Sequence, residues 1–259
     1  MPTRERYSHS TGRSMQSYRA VSNSSSSSDA LDLYAKVEDL LGVKEASPAL
    51  YAHYLLSLNG IDFDSILDVG CGSGDFLYQI KHIFGPDRVL GIDLSPLMVK
   101  QSIEQGIEAR CIDLCELDGS FDVVTAVFDM LNYLDKEHLH LLLRCLEDRV
   151  NPGGYFLCDI NTLYGFEEIA VGSFIVDDED RFVAIDGEFD DDIYRSEFTL
   201  FEKIAEDSYS KSKETIEQHY HTVALLSQLL PNMELIVNDK VMLYSDDADK
   251  DFLVFKKRG

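Results

Sequence analysis

The 259-residue sequence is poor in basic residues and has no long apolar run. It holds 23 Lys and Arg against 47 Asp and Glu, a formal net charge of -24. A field of that sign opposes polyanions, so nucleic acids and anionic membrane surfaces are poor partners, and the acidity favours solubility. No apolar stretch approaches the roughly 18 residues that a membrane span needs. The composition therefore favours a protein that binds neither nucleic acid nor membrane.

Cysteine is also scarce and lacks a recognisable pattern. The five cysteines are Cys71, Cys111, Cys115, Cys145 and Cys158. An odd number without a Cys-x-x-Cys pair predicts reduced thiols in a cytosol rather than a disulfide framework. No His or Cys pair accompanies Cys111 and Cys115 to complete a zinc site. We therefore expect a cytoplasmic protein without a bound metal.

Residues 1–28 differ in kind from the rest of the chain. They carry four arginines against a single glutamate and end in a run of serines. Such a segment cannot bury enough apolar surface to order itself, so it predicts a disordered tail or a cloning remnant. A transit peptide is the alternative, although the segment lacks a clear amphipathic face.

A glycine-rich turn organises the chain. The short apolar run 65–69 predicts a buried strand, Gly70, Gly72 and Gly74 follow at alternate positions, and residues 75–84 have helical spacing before a Gly-Pro stop. Glycines let the backbone approach a ligand closely, and the helix N-terminus is aimed at that ligand.

Two nucleotide-binding patterns do not fit this turn. The dinucleotide pattern requires a third glycine at position 75, which is Asp75, and the phosphate-loop Gly-Lys-Ser/Thr is absent. A carboxylate at the helix start would repel a pyrophosphate. It would not repel a ligand that carries a free amino group and a sulfonium.

The pattern Asp68-x-Gly70-x-Gly72-x-Gly74 resembles motif I of the class I S-adenosylmethionine (SAM) dependent methyltransferases. The resemblance implies SAM as cofactor, S-adenosylhomocysteine (SAH) as product, and cofactor contacts from the turn, including Cys71. It implies an α/β fold with a doubly wound, seven-stranded, mostly parallel sheet. The alternative is a glycine turn that only packs a helix on a strand.

Two further acidic residues follow predicted strands. Asp93 ends a strand about 20 residues beyond the glycine turn, where a carboxylate accepts two ribose hydroxyls. Asp113 follows the predicted strand 107–112. By resemblance, Asp113 binds the adenine amino group and the Ile112–Asp113 backbone meets a ring nitrogen. Leu94 and Leu114, beside these acids, join the predicted cofactor contacts. A plain strand-end or turn aspartate is the alternative for each acid.

The predicted fourth strand, 121–128, runs into Asp129-Met130-Leu131-Asn132-Tyr133 at the topological switch point of the sheet. This stretch resembles the D-x-x-N-Y sequence of a group of small-molecule and uncharacterised bacterial methyltransferases. Phe128 or Tyr133 could stabilise a sulfonium by a cation–π contact. Asp129 is assigned both to the cofactor and to catalysis. The alternative is that both rings pack under the next helix.

Two predicted helices precede the glycine turn, at residues 30–41 and 49–58. Similar leading helices cover the cofactor in SAM methyltransferases. Tyr34 and Tyr51 are candidates to line that cover, and ordinary helix packing is the alternative for both.

The pattern after residue 164 switches to alternation with acidic turns, which predicts antiparallel strands. We divide the chain into the SAM-binding core 29–164, an antiparallel insert or lid 165–220, and the end of the core 221–259, a helix plus a β-hairpin. The acidic turns predict solvated loops rather than a metal site.

The sequence thus predicts methyl transfer from SAM to an N or O atom of a small-molecule acceptor, by a monomer or homodimer. The donor is already activated, so the protein mainly aligns the reactants and excludes water. If a base is needed, His219 is the first candidate, with Asp129 and Tyr133 as alternatives. A SAM- or SAH-binding protein without transfer activity, or a tRNA or protein methyltransferase, is the alternative. An NAD-dependent oxidoreductase is disfavoured by Asp75.

Overall fold

The computed structural model describes residues 28–259 of the chain. The predicted disordered tail lies outside the described residues, except for its last residue, Ser28, which begins the first helix.

Eleven strands are found in the described part. They are β1 (Ser65–Val69), β2 (Arg88–Asp93), β3 (Ala109–Cys111), β4 (Phe121–Ala126), β5 (Val150–Asn161), β6 (Gly172–Asp177), β7 (Arg181–Asp190), β8 (Ile193–Ala205), β9 (Ser208–His219), β10 (Met233–Val241) and β11 (Lys250–Lys257). The α-helices are α1 (Ser28–Val37), α2 (Val43–Leu58), α3 (Asp75–Ile83), α4 (Pro96–Glu104), α5 (Lys136–Arg149) and α6 (Val223–Leu229).

Seven strands form the large sheet, in the order β10-β11-β5-β4-β1-β2-β3. β1 to β5 pair in parallel, whereas β11 runs antiparallel to β5 and β10 antiparallel to β11. The order reverses between β1 and β4, so the carboxyl ends of these two strands border a crevice where open α/β sheets bind ligands. The predicted doubly wound, mostly parallel sheet of seven strands is confirmed.

The core lies on both faces of this sheet because successive strand residues point to opposite sides. Leu67 and Val124 pack in one apolar cluster, and Ile66 and Val123 pack in the other. All four side chains are fully buried. The strands that border the crevice are therefore held by apolar packing on both faces of the sheet.

The four strands β6 to β9 form a separate antiparallel sheet. Its buried face packs against α1, where Leu33 and Val37 contact a cluster that includes Val183, Phe198 and Leu200. The predicted small antiparallel insert is confirmed as a sheet. Helix α1 lies between it and the large sheet.

The leading helices differ from their predicted limits. Helix α1 ends at Val37, a short 3-10 helix covers Glu38–Leu40, and α2 begins at Val43 rather than Ala49. Gly42, at φ 73°, provides the left-handed residue that separates the two helices. The predicted start of α2 was late because the pair Ser47-Pro48 is typical of a helix N-terminus, whereas the helix runs through both residues.

One prediction about the thiols is wrong. Cys115 and Cys145 form a disulfide, because a 3-10 turn after β3 packs on α5 and brings their Cα atoms to 5.2 Å. A sequence separation of 30 residues gave no sign of this contact. Cys71 and Cys158 are buried free thiols, and Cys111 is an exposed one.

No helix among residues 28–259 is long and apolar enough to cross a membrane.

Candidate active site

A cavity of about 460 Å³ opens at the carboxyl ends of β1, β2 and β4 and beneath α1 and α2. Its wall contains the turn after β1, the ends of β2 and β3, the segment after β4, and side chains from both leading helices. Eleven of the residues predicted to bind the cofactor line it: Tyr34, Asp68, Gly70, Cys71, Gly72, Asp93, Leu94, Ile112, Asp113, Leu114 and Phe128. Gly74 and Asp129 are outside its lining.

The glycine turn presents backbone to the cavity. Gly70, Gly72 and Gly74 all have positive φ, which side-chain-bearing residues rarely adopt. A Cβ on Gly70 would meet Met130 Cγ at 2.6 Å, whereas a Cβ on Gly72 would find nothing within 4 Å. Gly72 therefore leaves an open cradle, and Gly70 is needed for the close approach of the Met130 side chain.

Asp93 ties this turn to the end of β2. Its carboxylate accepts hydrogen bonds from the backbone N–H of Gly72, at 3.0 Å, and of Ser95, at 2.8 Å. The Ser95 hydroxyl in turn donates to Asp32 on α1 at 2.8 Å. Burial raises the pKa of Asp93 above its ordinary value, against the hydrogen bonds that lower it. The carboxylate thus orders the cradle and borders the cavity at the same time.

Asp68 is the most buried acid of the wall, with 2% of its surface exposed. It accepts a hydrogen bond from the Thr125 hydroxyl on β4 at 2.6 Å. Burial raises its pKa to about 7, although the Thr125 bond lowers it. A cationic ligand in the cavity would stabilise the ionised form.

Asp113 closes the far end of the cavity. Its carboxylate accepts a hydrogen bond from the backbone N–H of Cys115 at 2.7 Å and caps the 3-10 turn Leu114–Glu116. The Cys115–Cys145 disulfide ties the same turn to α5. The Ile112–Leu114 wall is therefore held by a cap and by a covalent bond.

The chain makes an unusual turn after β4. The predicted strand to Phe128 ends at Ala126, because Phe128 and Asp129 have φ of 57° and 47°. Two consecutive left-handed residues other than glycine are strained and need support from their surroundings. Asp159 gives that support, since its two oxygens accept the N–H groups of Phe128 and Asp129, each at 2.8 Å.

Asp129 lies outside the cavity lining. Its carboxylate accepts hydrogen bonds from Lys250 on β11 and Gln218 on β9. Asn132 of the D-x-x-N-Y segment is fully buried. Its amide donates to His219 O at 2.8 Å and accepts from Asn161 N at 3.0 Å. The polar residues of this motif therefore join the segment after β4 to the last strands of both sheets.

Two tyrosines face the cavity without hydrogen-bond partners. Tyr34 on α1 and Tyr133 after β4 line the wall, and neither hydroxyl has a partner among the residues that the structure describes. Burial raises the pKa of both phenols, and the carboxylates of Glu38 and Asp129 add to the effect. Both hydroxyls are neutral at physiological pH and can donate a hydrogen bond to a ligand.

His219, at the end of β9, lies outside the cavity lining. Its ring stacks on that of His221 at 6.4 Å between centroids, and burial lowers its pKa.

Glu38 is a cavity residue that sequence reasoning missed. It lies in the 3-10 helix after α1, half-buried in the wall, and burial raises its pKa, as does the nearby Asp75. It follows Tyr34 by four residues, which would place it on the same helical face. That spacing was the available signal. The adjacent Asp39 is held by Arg181 of the small sheet, at 2.8 and 2.9 Å.

The cavity wall is strongly acidic. Its lining includes six carboxylates, from Glu38, Asp68, Asp75, Asp93, Asp113 and Glu137, with Lys44 as the one lysine. A ligand bearing a sulfonium and an amino group complements this charge, and an open backbone cradle at Gly72 accommodates it. The residues present therefore fit SAM.

These features define the class I SAM-dependent methyltransferase fold. Residues 66–154 match the family model described as a methyltransferase domain, and this segment of the chain is such a domain. The strand order with its antiparallel β11, the glycine turn, and the acids at the carboxyl ends of β1 and β2 and just after β3 agree with that class, whose cofactor is SAM.

Solved structures show the same fold over most of the chain. A SAM-dependent methyltransferase from Clostridium acetobutylicum has a TM-score of 0.72 and 22% identity, covering 88% of this chain and 100% of that one. A SAM-bound amino pentose methyltransferase from Micromonospora echinaspora, involved in calicheamicin biosynthesis, has a TM-score of 0.60 and 20% identity, covering 87% and 90%.

Sequence relatives match a shorter segment. A demethylmenaquinone methyltransferase from Lactococcus lactis is 32% identical over 105 residues, which is 36% of this chain and 40% of the relative. The chain spans less than half the length of the curated relatives that it matches first.

Proposed function

We propose that the protein transfers a methyl group from SAM to a nitrogen or oxygen atom of a small-molecule acceptor. The observation that carries the proposal is the acidic cavity at the switch point, with the open Gly72 cradle at one end and the phenols of Tyr34 and Tyr133 on its wall. When bound, SAM supplies a methyl group on a sulfonium that needs no further activation.

The side chains of the cavity would act by binding, alignment and exclusion of water. Asp93 and Asp113 are proposed to bind the nucleoside part, and Asp68 and the turn Gly70–Gly74 to bind the amino-acid part. Phe128 and Tyr133 are proposed to lie beside the donor methyl, where aromatic faces stabilise positive charge. Helices α1 and α2 cover the cavity and keep water from the reacting atoms.

An amine is the favoured acceptor. Six carboxylates in the lining attract a cation, and Glu38 faces the cavity with a raised pKa and no hydrogen-bond partner among the described residues. A carboxylate with a raised pKa is suited to bind an ammonium and to take its proton, because its pKa lies closer to neutral pH than that of an ordinary carboxylate. A solved structure of the same fold is an amino pentose methyltransferase, whose substrate class contains an amino group, which supports this choice.

The proposal has a direct test. Calorimetry should show SAM and SAH binding at sub-millimolar concentration, and a library of small amines and alcohols with radiolabelled SAM should yield a methylated product. A folded protein that binds neither SAM nor SAH would contradict the proposal. If the label entered tRNA or protein and no small molecule, the acceptor would be a macromolecule instead of a small molecule.

We further propose that the protein is cytoplasmic, acts as a monomer or homodimer, and does not bind nucleic acid. The net charge of -24 supports the last point. Sedimentation tests the oligomeric state, and filter binding with tRNA tests whether the protein binds nucleic acid.

A further inference from the structure

The strained pair Phe128–Asp129 depends on a buried network of polar groups. Asp159 accepts both N–H groups of the pair and the Tyr54 hydroxyl, at 2.6 Å. Tyr54 and Asp159 are fully buried. Phe128 lines the cavity, so any shift of the pair changes the wall next to Tyr133.

Lys250, the first residue of β11, supplies the positive charge of this network. Its ammonium donates to Asp129 and to Asn161, the latter at 2.8 Å, and lies 3.5 Å from Asp159. Only 2% of its surface is exposed. Burial alone would lower its pKa, but the carboxylates of Asp129 and Asp159 raise it, so the side chain stays charged. One cation therefore balances two carboxylates, one carried by the strained turn itself and one that accepts the N–H groups of that turn.

The same network reaches the small sheet. Gln218 on β9 donates to the second oxygen of Asp129. Asn132 joins His219 O of β9 to Asn161 N of β5. The turn after β4, the last strand of the large sheet and the last strand of the small sheet thus meet at Asp129.

We propose that Lys250 is a positioning residue for methyl transfer: through Asp129 and Asp159 it fixes the Phe128–Asp129 turn, and through Asp129 it joins that turn to Gln218 of the small sheet. This rests on the proposed function. Lys250 lies outside the cavity lining, so its effect on cofactor and acceptor is transmitted by the turn.

The test compares Lys250→Met with Lys240→Met in the full chain, with SAH as the probe. Lys240 lies on β10, is 60% exposed at its side chain, and pairs with Asp251 at 2.6 Å, so it controls for loss of a lysine ion pair. We expect Lys250→Met to weaken SAH binding about tenfold and to speed amide exchange at Phe128 and Asp129 about tenfold, because two buried carboxylates lose their cation. Lys240→Met should change neither.

A second variant separates positioning from simple loss of packing. Asp129→Asn added to Lys250→Met removes the repulsion between the two acids, so the double variant should bind SAH more tightly than Lys250→Met alone. Lowering the pH from about 8 to 6 should narrow the gap between Lys250→Met and the unmodified protein, since a buried acid without its cation becomes protonated more readily. A purely structural role of Lys250 predicts that the losses of SAH affinity from the two substitutions add up. It also predicts that the difference in affinity between Lys250→Met and the unmodified protein is the same at both pH values.

Unchanged SAH affinity and exchange in Lys250→Met would overturn the proposal, as would additive losses in the double variant. If the methionine variants do not fold, Lys250→Gln keeps a hydrogen-bond donor at this position but removes the charge. Faster exchange at Phe128 and Asp129 then supports the proposal, and native exchange overturns it. Failure of the unmodified protein to bind SAH would instead contradict the proposed function.

Discussion

The two sides of the cavity are formed by different kinds of groups, which come from different parts of the chain. The side assigned to the cofactor comes from one stretch, residues 68–115, and consists of backbone groups, strand-end acids and their caps. The side assigned to the acceptor is assembled from α1, the 3-10 helix that follows it, the turn after β4, and supporting groups on β9 and β11.

The difference shows how each side keeps its shape. On the cofactor side, each acid lies at a strand end and is held by hydrogen bonds from its own loop or from an adjacent strand, so its position follows largely from the strand pattern. On the acceptor side, long-range contacts such as Asp129 with Lys250 and Asp39 with Arg181 determine position. Substitutions on the first side should therefore change SAM and SAH affinity, and substitutions on the second should change turnover.

The largest expected effect on cofactor affinity is at Asp93. Asp93→Ala removes the acceptor for Gly72 N and Ser95 N, and the cradle loses its order. Hydrogen bonds to a charged group contribute roughly 1.5–3 kcal/mol each, so SAH affinity should fall about 100-fold by calorimetry. Asp87→Ala, at an exposed aspartate before the same strand, is the matched control. Equal SAH affinities of the two variants would contradict the assignment of this side of the cavity to the cofactor.

Asp68 should give a smaller effect with a distinct pH dependence. Its pKa is raised to about 7 in the folded protein, above the unfolded value, so the folded state binds the extra proton and stability falls as pH rises toward 7. The ammonium group of SAM or SAH, if bound beside Asp68, favours the ionised form, so SAH affinity should rise over the same interval.

Asp68→Asn removes both dependences. It should lower SAH affinity about tenfold at pH 8, the change that 1.4 kcal/mol produces, and flatten the fall in melting temperature between pH 5 and 8. A melting temperature that still falls equally in the variant would assign the titration to another group.

Opening the disulfide should change cofactor affinity only a few-fold. Cys145→Ser frees the Leu114–Glu116 turn from α5, while the Asp113 cap keeps the turn in place. A bond closing a loop of this length contributes about 3 kcal/mol to stability, so the melting temperature should fall by roughly 6–12 °C in thermal denaturation. Cys111→Ser, at the exposed free thiol, should leave the melting temperature unchanged.

Tyr133→Phe should have the smallest effect on the cofactor and a clear effect on turnover. The phenol has no partner among the described residues, so its loss leaves SAH affinity within about twofold. If the hydroxyl bonds the acceptor, kcat with an identified acceptor should fall about tenfold. A parallel loss of SAH affinity would place Tyr133 on the cofactor side and weaken the comparison.

The sequence was sufficient for the large sheet and for the places of Asp68, Asp93 and Asp113, because each acid lies at or just after the carboxyl end of an apolar strand. It failed for Lys250, whose carboxylate partners lie far away in the sequence, and for the disulfide, whose partners come together only when the turn after β3 packs on α5. It also extended β4 to Phe128, because an apolar run gives no sign that a distant carboxylate, Asp159, stabilises two left-handed residues.

Helix α1 bonds the Ser95 end of the cavity through Asp32 and packs its apolar face on the small sheet. One helix therefore links the part of the cavity wall that is proposed to bind the nucleoside to the small sheet. We expect that release of a nucleoside bound beneath α1 requires this helix to move, whereas release of the acceptor does not. Steady-state kinetics should accordingly be ordered, with the methylated compound released first and SAH, the slower to dissociate, acting as a competitive inhibitor of SAM.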